Sequence, residues 1–241
     1  MRVVRRVLVT LAVLAVLLLV ADRVAAWAAQ RAVAEHVATE LASYQVASQP
    51  PEVTIGGVPF LTQVAEGRFE SVTLRLRDVG SDRVILPLVE LIASGVTADA
   101  STLIEREGPI NAEQVDGSAT IGYASVTALT DLAALDLSAG PDGSVRVRLP
   151  AELAGTQVVV VGSAAVSVAD GVIQLSVGDL GIEGLEQLPP PAEALVADIA
   201  RRLSVRVPLP PLPYGLTIES VRAERAGLVV AVQAHNVPLA R

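Results

Sequence analysis

The stretch that most constrains this chain runs from Val53 to Val79, VTIGGVPFLTQVAEGRFESVTLRLRDV. It opens on a short apolar strand, Val53 to Ile55, which Gly56 and Gly57 break, because glycine accepts the backbone angles of a tight turn. Pro59 sets the next backbone angle and has no N–H to give to a sheet. Phe60, Leu61 and Val64 recur at one-turn spacing, which predicts a short helical segment with an apolar side, ended by Gly67. From Val72 the chain alternates, with Val72, Leu74 and Leu76 on one side and Thr73, Arg75 and Arg77 on the other. That is the pattern of a half-buried strand with an arginine-bearing outer face.

Strands dominate the rest of the chain. A second apolar strand is expected over Val84 to Ala98, with Pro87 placing its start at an edge or irregularity. A helical turn is expected at Ser101 to Ile104, closed by Gly108-Pro109. The next strand puts Val115, Gly117, Ala119, Ile121 and Tyr123 on one face and Asp116, Ser118 and Thr120 on the other. A short helix, Ala124 to Leu132, comes after it. From Leu135 the chain reads as hairpins: Leu135–Ala139 with Ser144–Leu149, Thr156–Val168 with Val172–Leu180, and Leu216–Ala223 with Leu228–Asn236. Glycine-bearing turns join each pair. Val158 to Val161 is apolar on both faces, as in a middle strand covered on both sides. Pro189-Pro190-Pro191 opens a second helix with Leu195, Ile199 and Leu203 as its buried stripe, and Leu209–Pro213 is a rigid connector. Two substantial helices and about eight to ten mostly consecutive strands predict an antiparallel α+β fold.

The N-terminus sets the compartment. Arg2, Arg5 and Arg6 precede an uncharged run from Val7 to Ala21, and this order leaves the N-terminus in the cytoplasm and everything after Asp22 outside. Val24-Ala25-Ala26 and Ala26-Trp27-Ala28 both suit cleavage by a signal peptidase. The helical pattern nevertheless continues through them, with Val33, Val37 and Leu41 four residues apart and Tyr44 one turn on, over a helix from about Val24 to Gln45. Residues 1–23 are therefore a signal peptide or a signal anchor, and 24–241 a single α+β domain.

Composition removes several functions. The net charge is −8 and all 18 basic residues are arginine, so the chain lacks the basic face of a nucleic-acid binder. It contains no cysteine, hence no disulfide framework, thiolate nucleophile or cysteine-ligated zinc. Its only histidines, His36 and His235, fall on polar faces, which argues against a catalytic or metal role, and Asp78, Asp82 and Asp99 lack calcium-loop spacing. Gly178–Gly184 lacks the lysine of a phosphate-binding loop, and there is no Gly-x-Ser-x-Gly elbow. No cofactor, metal site or catalytic set is expected. Hydrophobic residues make up 51% of the chain, enough for a packed core or for a core plus an apolar groove.

The Gly57-Val58-Pro59-Phe60-Leu61-Thr62-Gln63 run, the Gly67–Val72 run GRFESV and the alternating strand after it resemble the LmeA-like family of actinobacterial envelope phospholipid-binding proteins. The helix after the membrane segment, the Ala119–Tyr123 strand end and Leu212–Leu216 fit the same resemblance. It implies a fold like that of the tubular lipid-binding superfamily, in which a curved antiparallel meander wraps a long helix. It also implies a non-enzymatic protein that binds or carries a membrane phospholipid of the phosphatidylinositol type in support of lipoglycan (mannan) assembly. The expected partners are the phospholipid and the plasma membrane, with an envelope glycosyltransferase as a candidate. On this reading Phe60, Leu61, Val64, Leu74, Leu76, Ile121 and Tyr123 are candidate lining residues, and Arg68 or Arg75 is the candidate phosphate contact. Two rival readings stand beside it: an envelope glycan or lipid hydrolase using carboxylates, and an adaptor that holds a synthase.

Overall fold

In the computed structural model the N-terminal apolar run and the helix expected after it form one uninterrupted helix, α1 (Arg2–Ser43). The structure describes residues 2–43, 47–81, 84–98, 108–128, 134–169, 172–178, 180–185, 187–203, 206–208 and 215–240. A helix boundary near Val24 is thus absent, and the reason is local: no glycine or proline occurs between Arg2 and Ser43 to stop the helix. The large apolar side chains from Val3 to Val20 are 51% to 71% exposed, so this half of α1 packs on nothing among the described residues. Beyond it, Asp22 and Ala26 are buried, and Ala25 and Ala29 pack on the folded body. Val37 and Leu41 are half-buried as the four-residue spacing predicts, while Val33 is exposed. Tyr44 lies outside the described residues.

Two antiparallel sheets make up the body. The first contains β1 (Glu52–Ile55), β2 (Arg68–Ser81), β3 (Val84–Ala98), β4 (Ile110–Ile121), β11 (Thr217–Glu224) and β12 (Gly227–Ala240), in the order β1-β2-β3-β4-β12-β11. The short helix α2 (Phe60–Glu66) links β1 to β2 and ends at Gly67, whose φ of 64° is left-handed. Tyr123 is not part of β4. The strand stops at Ile121, and after Gly122 the tyrosine opens the helix α3 (Tyr123–Ala128). Thr120, expected on an open polar face, is 8% exposed because it sits between Leu88 and Val229 on the inner strands.

The second sheet contains β5 (Asp136–Ala139), β6 (Val145–Leu153), β7 (Thr156–Ala169), β8 (Val172–Val177), β9 (Gly181–Ile182) and β10 (Arg206–Pro208). Its order is β10-β8-β7-β6-β5, with β9 also paired to β7. The predicted hairpins are therefore present, and β7 is an inner strand in which Val160 is fully buried. Helix α4 (Pro190–Leu203) covers this sheet through Ala192, Leu195, Ile199 and Leu203. The described residues include twelve strands in all. The expected turn at Ser101–Ile104, the connector Leu209–Pro213 and the end of the Ala124–Leu132 helix lie outside them.

Two cores result. One joins the second sheet to α4 and reaches Ala223 and Leu228 at one end of the first sheet. The other lies at the opposite end of the first sheet, where Phe60, Phe69, Val96, Ala112 and Val237 close around Ala26 of α1. In this second core the buried residues are three apart instead of two: Ala93 and Val96, Ala112 and Val115, Ala234 and Val237. Strict alternation would send each such pair to opposite faces. The ladders step over Gly95, Glu113 and Asn236, which stand side by side, and Gly95 (φ 60°) and Asn236 (φ 51°) are left-handed. This aligned interruption flips the parity of neighbouring strands together and keeps the apolar side chains on one face.

Candidate functional site

The local architecture begins where α1 meets α2. The N-cap position of α2 is Pro59, whose side chain accepts no hydrogen bond, so the first turn lacks a cap of its own. Asp22 of α1 supplies one: the Leu61 N–H donates to Asp22 Oδ1 at 2.8 Å. A carboxylate at a helix N-terminus satisfies an orphan donor and meets the positive end of the helix dipole. The Leu61 N–H is the main reason the Asp22 carboxyl is held below its ordinary value; Arg23 and the Phe60 N–H act the same way, and burial opposes them. The loop before α2 is held as well. Gln63 Nε2 donates to the Gly56 carbonyl at 3.0 Å, and Gln63 Oε1 accepts from the Glu70 N–H at 2.8 Å. Sequence reading missed this use of Asp22. The available signals were a lone carboxylate ending an apolar run and a helix start with only Val58-Pro59 before it.

Above α2 the first sheet presents an apolar face, which the strand registers define row by row. Val53, Leu74, Leu91, Gly117, Val232 and Ile218 form one cross-strand row. Leu76, Val89, Ala119, Val230 and Val221 form the next. No polar side chain interrupts either row. Among the described residues, neither row belongs to the two cores that flank it. Leu76 and Val221 are buried, and Leu74, Val89, Leu91, Ala119, Val230 and Val232 are half-buried. A side chain at Gly117 would come within 2.7 Å of Val232 and 2.9 Å of Leu91, so its neighbours already lean over it. Ile121 and Leu228 continue this face towards Tyr123, where an open cleft of about 610 Å³ is lined by Tyr123, Ala124, Thr127, Ala128, Leu135, Asp136 and Leu137.

The nine residues singled out from the sequence divide among these places. Leu74, Leu76 and Ile121 share the apolar face. Phe60 is 6% exposed and packs on Phe69 with ring centroids 6.1 Å apart, so it belongs to the core beside α1. Val64 packs against that same core, whereas Leu61 is 44% exposed. Tyr123 sits at the far cleft, its hydroxyl donating to the Glu224 carbonyl at 2.8 Å. Burial, and secondarily Glu224, raises its pKa.

The arginines lie elsewhere. Arg75 alternates with Leu74 and Leu76, so it occupies the opposite face, where it pairs with Glu90 at 2.7 Å. Arg68 is exposed at the α2 end of β2 and pairs with Glu113 at 3.4 Å. The polar face also carries Asp116, which accepts from Gln114 and from Gln233 at 2.8 Å each. His36 and His235 are both exposed. Among the described residues no three His, Asp or Glu side chains gather as a metal site.

The arrangement provides an apolar surface between two packed ends, its two cross-strand rows free of polar side chains. Such a surface suits an aliphatic ligand. No curated protein and no solved structure matches the chain. A family model does, over residues 20–233, a span that includes the α1–α2 junction and both apolar rows. The chain belongs to the LmeA-like phospholipid-binding family.

Proposed function

We propose that this protein binds or carries a membrane phospholipid without enzymatic chemistry, its acyl chains lying along the apolar rows of the first sheet. The observation that carries this reading is the pair of cross-strand rows, Val53 to Ile218 and Leu76 to Val221, which are wholly apolar, half-buried for the most part and outside both cores. A face of this kind is costly to leave in water, and each methylene it takes out of water contributes about 0.8 kcal/mol. Leu74, Leu76 and Ile121 line the ligand directly. Phe60 and Val64 support its α2 end, and Tyr123 its far end. Arg68 is better placed than Arg75 to meet the phosphate. It stands beside the α2 end, and its long, exposed pair with Glu113 is of a kind worth about 0–1 kcal/mol, which a phosphate can displace.

The protein works on the outer side of the plasma membrane. Arg2, Arg5 and Arg6 before the apolar run support this orientation. α1 is retained as an anchor, because cleavage after Ala26 or Ala28 would remove two residues buried on the body, Asp22 and Ala26. Residues from Asp22 onward then form a single lipid-binding domain. A phosphatidylinositol-type ligand, a role in envelope lipoglycan assembly and a glycosyltransferase partner follow from the motif resemblance at Gly57–Gln63 and Gly67–Val72.

Native mass spectrometry of the full chain, released from detergent in the spectrometer, tests the binding reading. The expected result is a mass increment of one phospholipid that persists when detergent is stripped. Protein that remains lipid-free after incubation with phosphatidylinositol, phosphatidylglycerol and phosphatidylethanolamine would overturn it.

A further inference from the structure

The α1–α2 junction carries information about the membrane as well as the fold. The uncharged run of α1, Val7 to Ala21, is 15 residues and about 22 Å long, and the apolar stems of the arginines before it extend it towards the ~30 Å of a bilayer's hydrocarbon core. Arg5 and Arg6 lie at its cytoplasmic end, where their long side chains reach the headgroups. Asp22 is the next residue, and its carboxylate is hydrogen-bonded to the backbone of Leu61 at 2.8 Å. That bond ties the start of α2 to the level at which α1 leaves the hydrocarbon. The loop preceding α2 and the first turn of α2 present exposed apolar side chains: Val58 is 69% and Leu61 44% accessible. Trp27, 60% exposed, lies about 7 Å further along α1, within the headgroup layer that favours its amphipathic ring. The Arg31 guanidinium lies 5.7 Å from the centre of that ring.

We infer that Val58, in the loop before α2, and Leu61, in the first turn of α2, dock into the outer leaflet beside α1, so that the core at the α2 end of the sheet rests against the bilayer. The partner is a lipid bilayer surface. Helix α1 brings it there, and Gln63 and Asp22 hold the loop rigid against it. This rests on α1 remaining in the membrane and does not depend on which lipid, if any, the sheet carries.

The absence of native cysteine makes the inference directly testable by site-specific labelling. Val58→Cys is compared with Arg225→Cys, in the exposed turn between β11 and β12. That turn is about 30 Å along β12 from Val237 in the α1-side core. Each full-length variant is labelled with a polarity-sensitive fluorophore. It is then reconstituted into vesicles of phosphatidylcholine and phosphatidylglycerol containing a lipid with a nitroxide near its headgroup. The expected result is blue-shifted, strongly quenched emission from position 58 and water-like, unquenched emission from position 225. Emission at position 58 that matches position 225 would overturn the inference. Bound lipid is scored separately by mass, so a failure of lipid carriage and a failure of docking give different results.

Discussion

Asp22 shows how one side chain can join two functions of the chain. It ends the apolar run, and it caps a helix that starts 38 residues later and has no cap of its own. Its folded-state pKa lies below the ordinary 3.8, so the stabilisation is present above that pH and is lost as pH falls towards the folded value. The full chain in detergent should accordingly hold its melting temperature down to about pH 4 and lose it below. Asp22→Asn keeps an acceptor but no charge. It should melt lower than the parent at neutral pH, with the two curves converging in acid. Parallel curves for parent and variant down to pH 3 would contradict the role given to this carboxylate. The sequence displayed the aspartate plainly, but its partner is set by tertiary packing, which no local pattern records.

At the level of elements, the strands were the most legible part. Val84–Ala98 is observed with the expected limits, because alternation and flanking turn residues act locally. The Leu195, Ile199 and Leu203 stripe also packs as the helical period requires. The aligned interruption at Gly95, Glu113 and Asn236 was not legible. Buried residues three apart on a strand imitate a helical period, and the cause lies in three strands at once. Gly95 is the most constrained member: its φ is left-handed, and a Cβ there would lie 2.6 Å from Glu113 Cδ. Gly95→Val should therefore cost at least about 1–3 kcal/mol, read as a lowered midpoint of thermal unfolding. A valine variant as stable as the parent would mean that the strands do not need this break.

For the molecule as a whole, the α+β class followed from the order of elements, and the family motifs concentrated in the α2 region pointed to lipid. Which residues form the apolar face of the first sheet was only partly readable. Leu74, Leu76 and Ile121 were accessible through strand parity. Phe60 and Val64 looked equivalent to them until the packing of α1 placed both in or against a core. The residues that widen the apolar face, Leu91, Gly117, Ala119, Val230 and Val232, come from strands far apart in sequence and are assembled only by the register of β3, β4 and β12.

Ala119 is the position at which the central claim is most exposed to test. It is a small residue flanked by Val89 and Val230 in the middle of the strip, half-buried and outside both cores. The decisive measurement is phospholipid content and melting temperature on the same preparation of Ala119→Trp. If the strip holds acyl chains, an indole there should sharply reduce bound phospholipid. The melting temperature of lipid-free protein should stay within about 2–4 °C of the parent, equivalent to about 1 kcal/mol. If the strip is ordinary core, the substitution should overpack it and cost about 1–3 kcal/mol while bound lipid per folded protein stays at the parent's level, which would contradict the account.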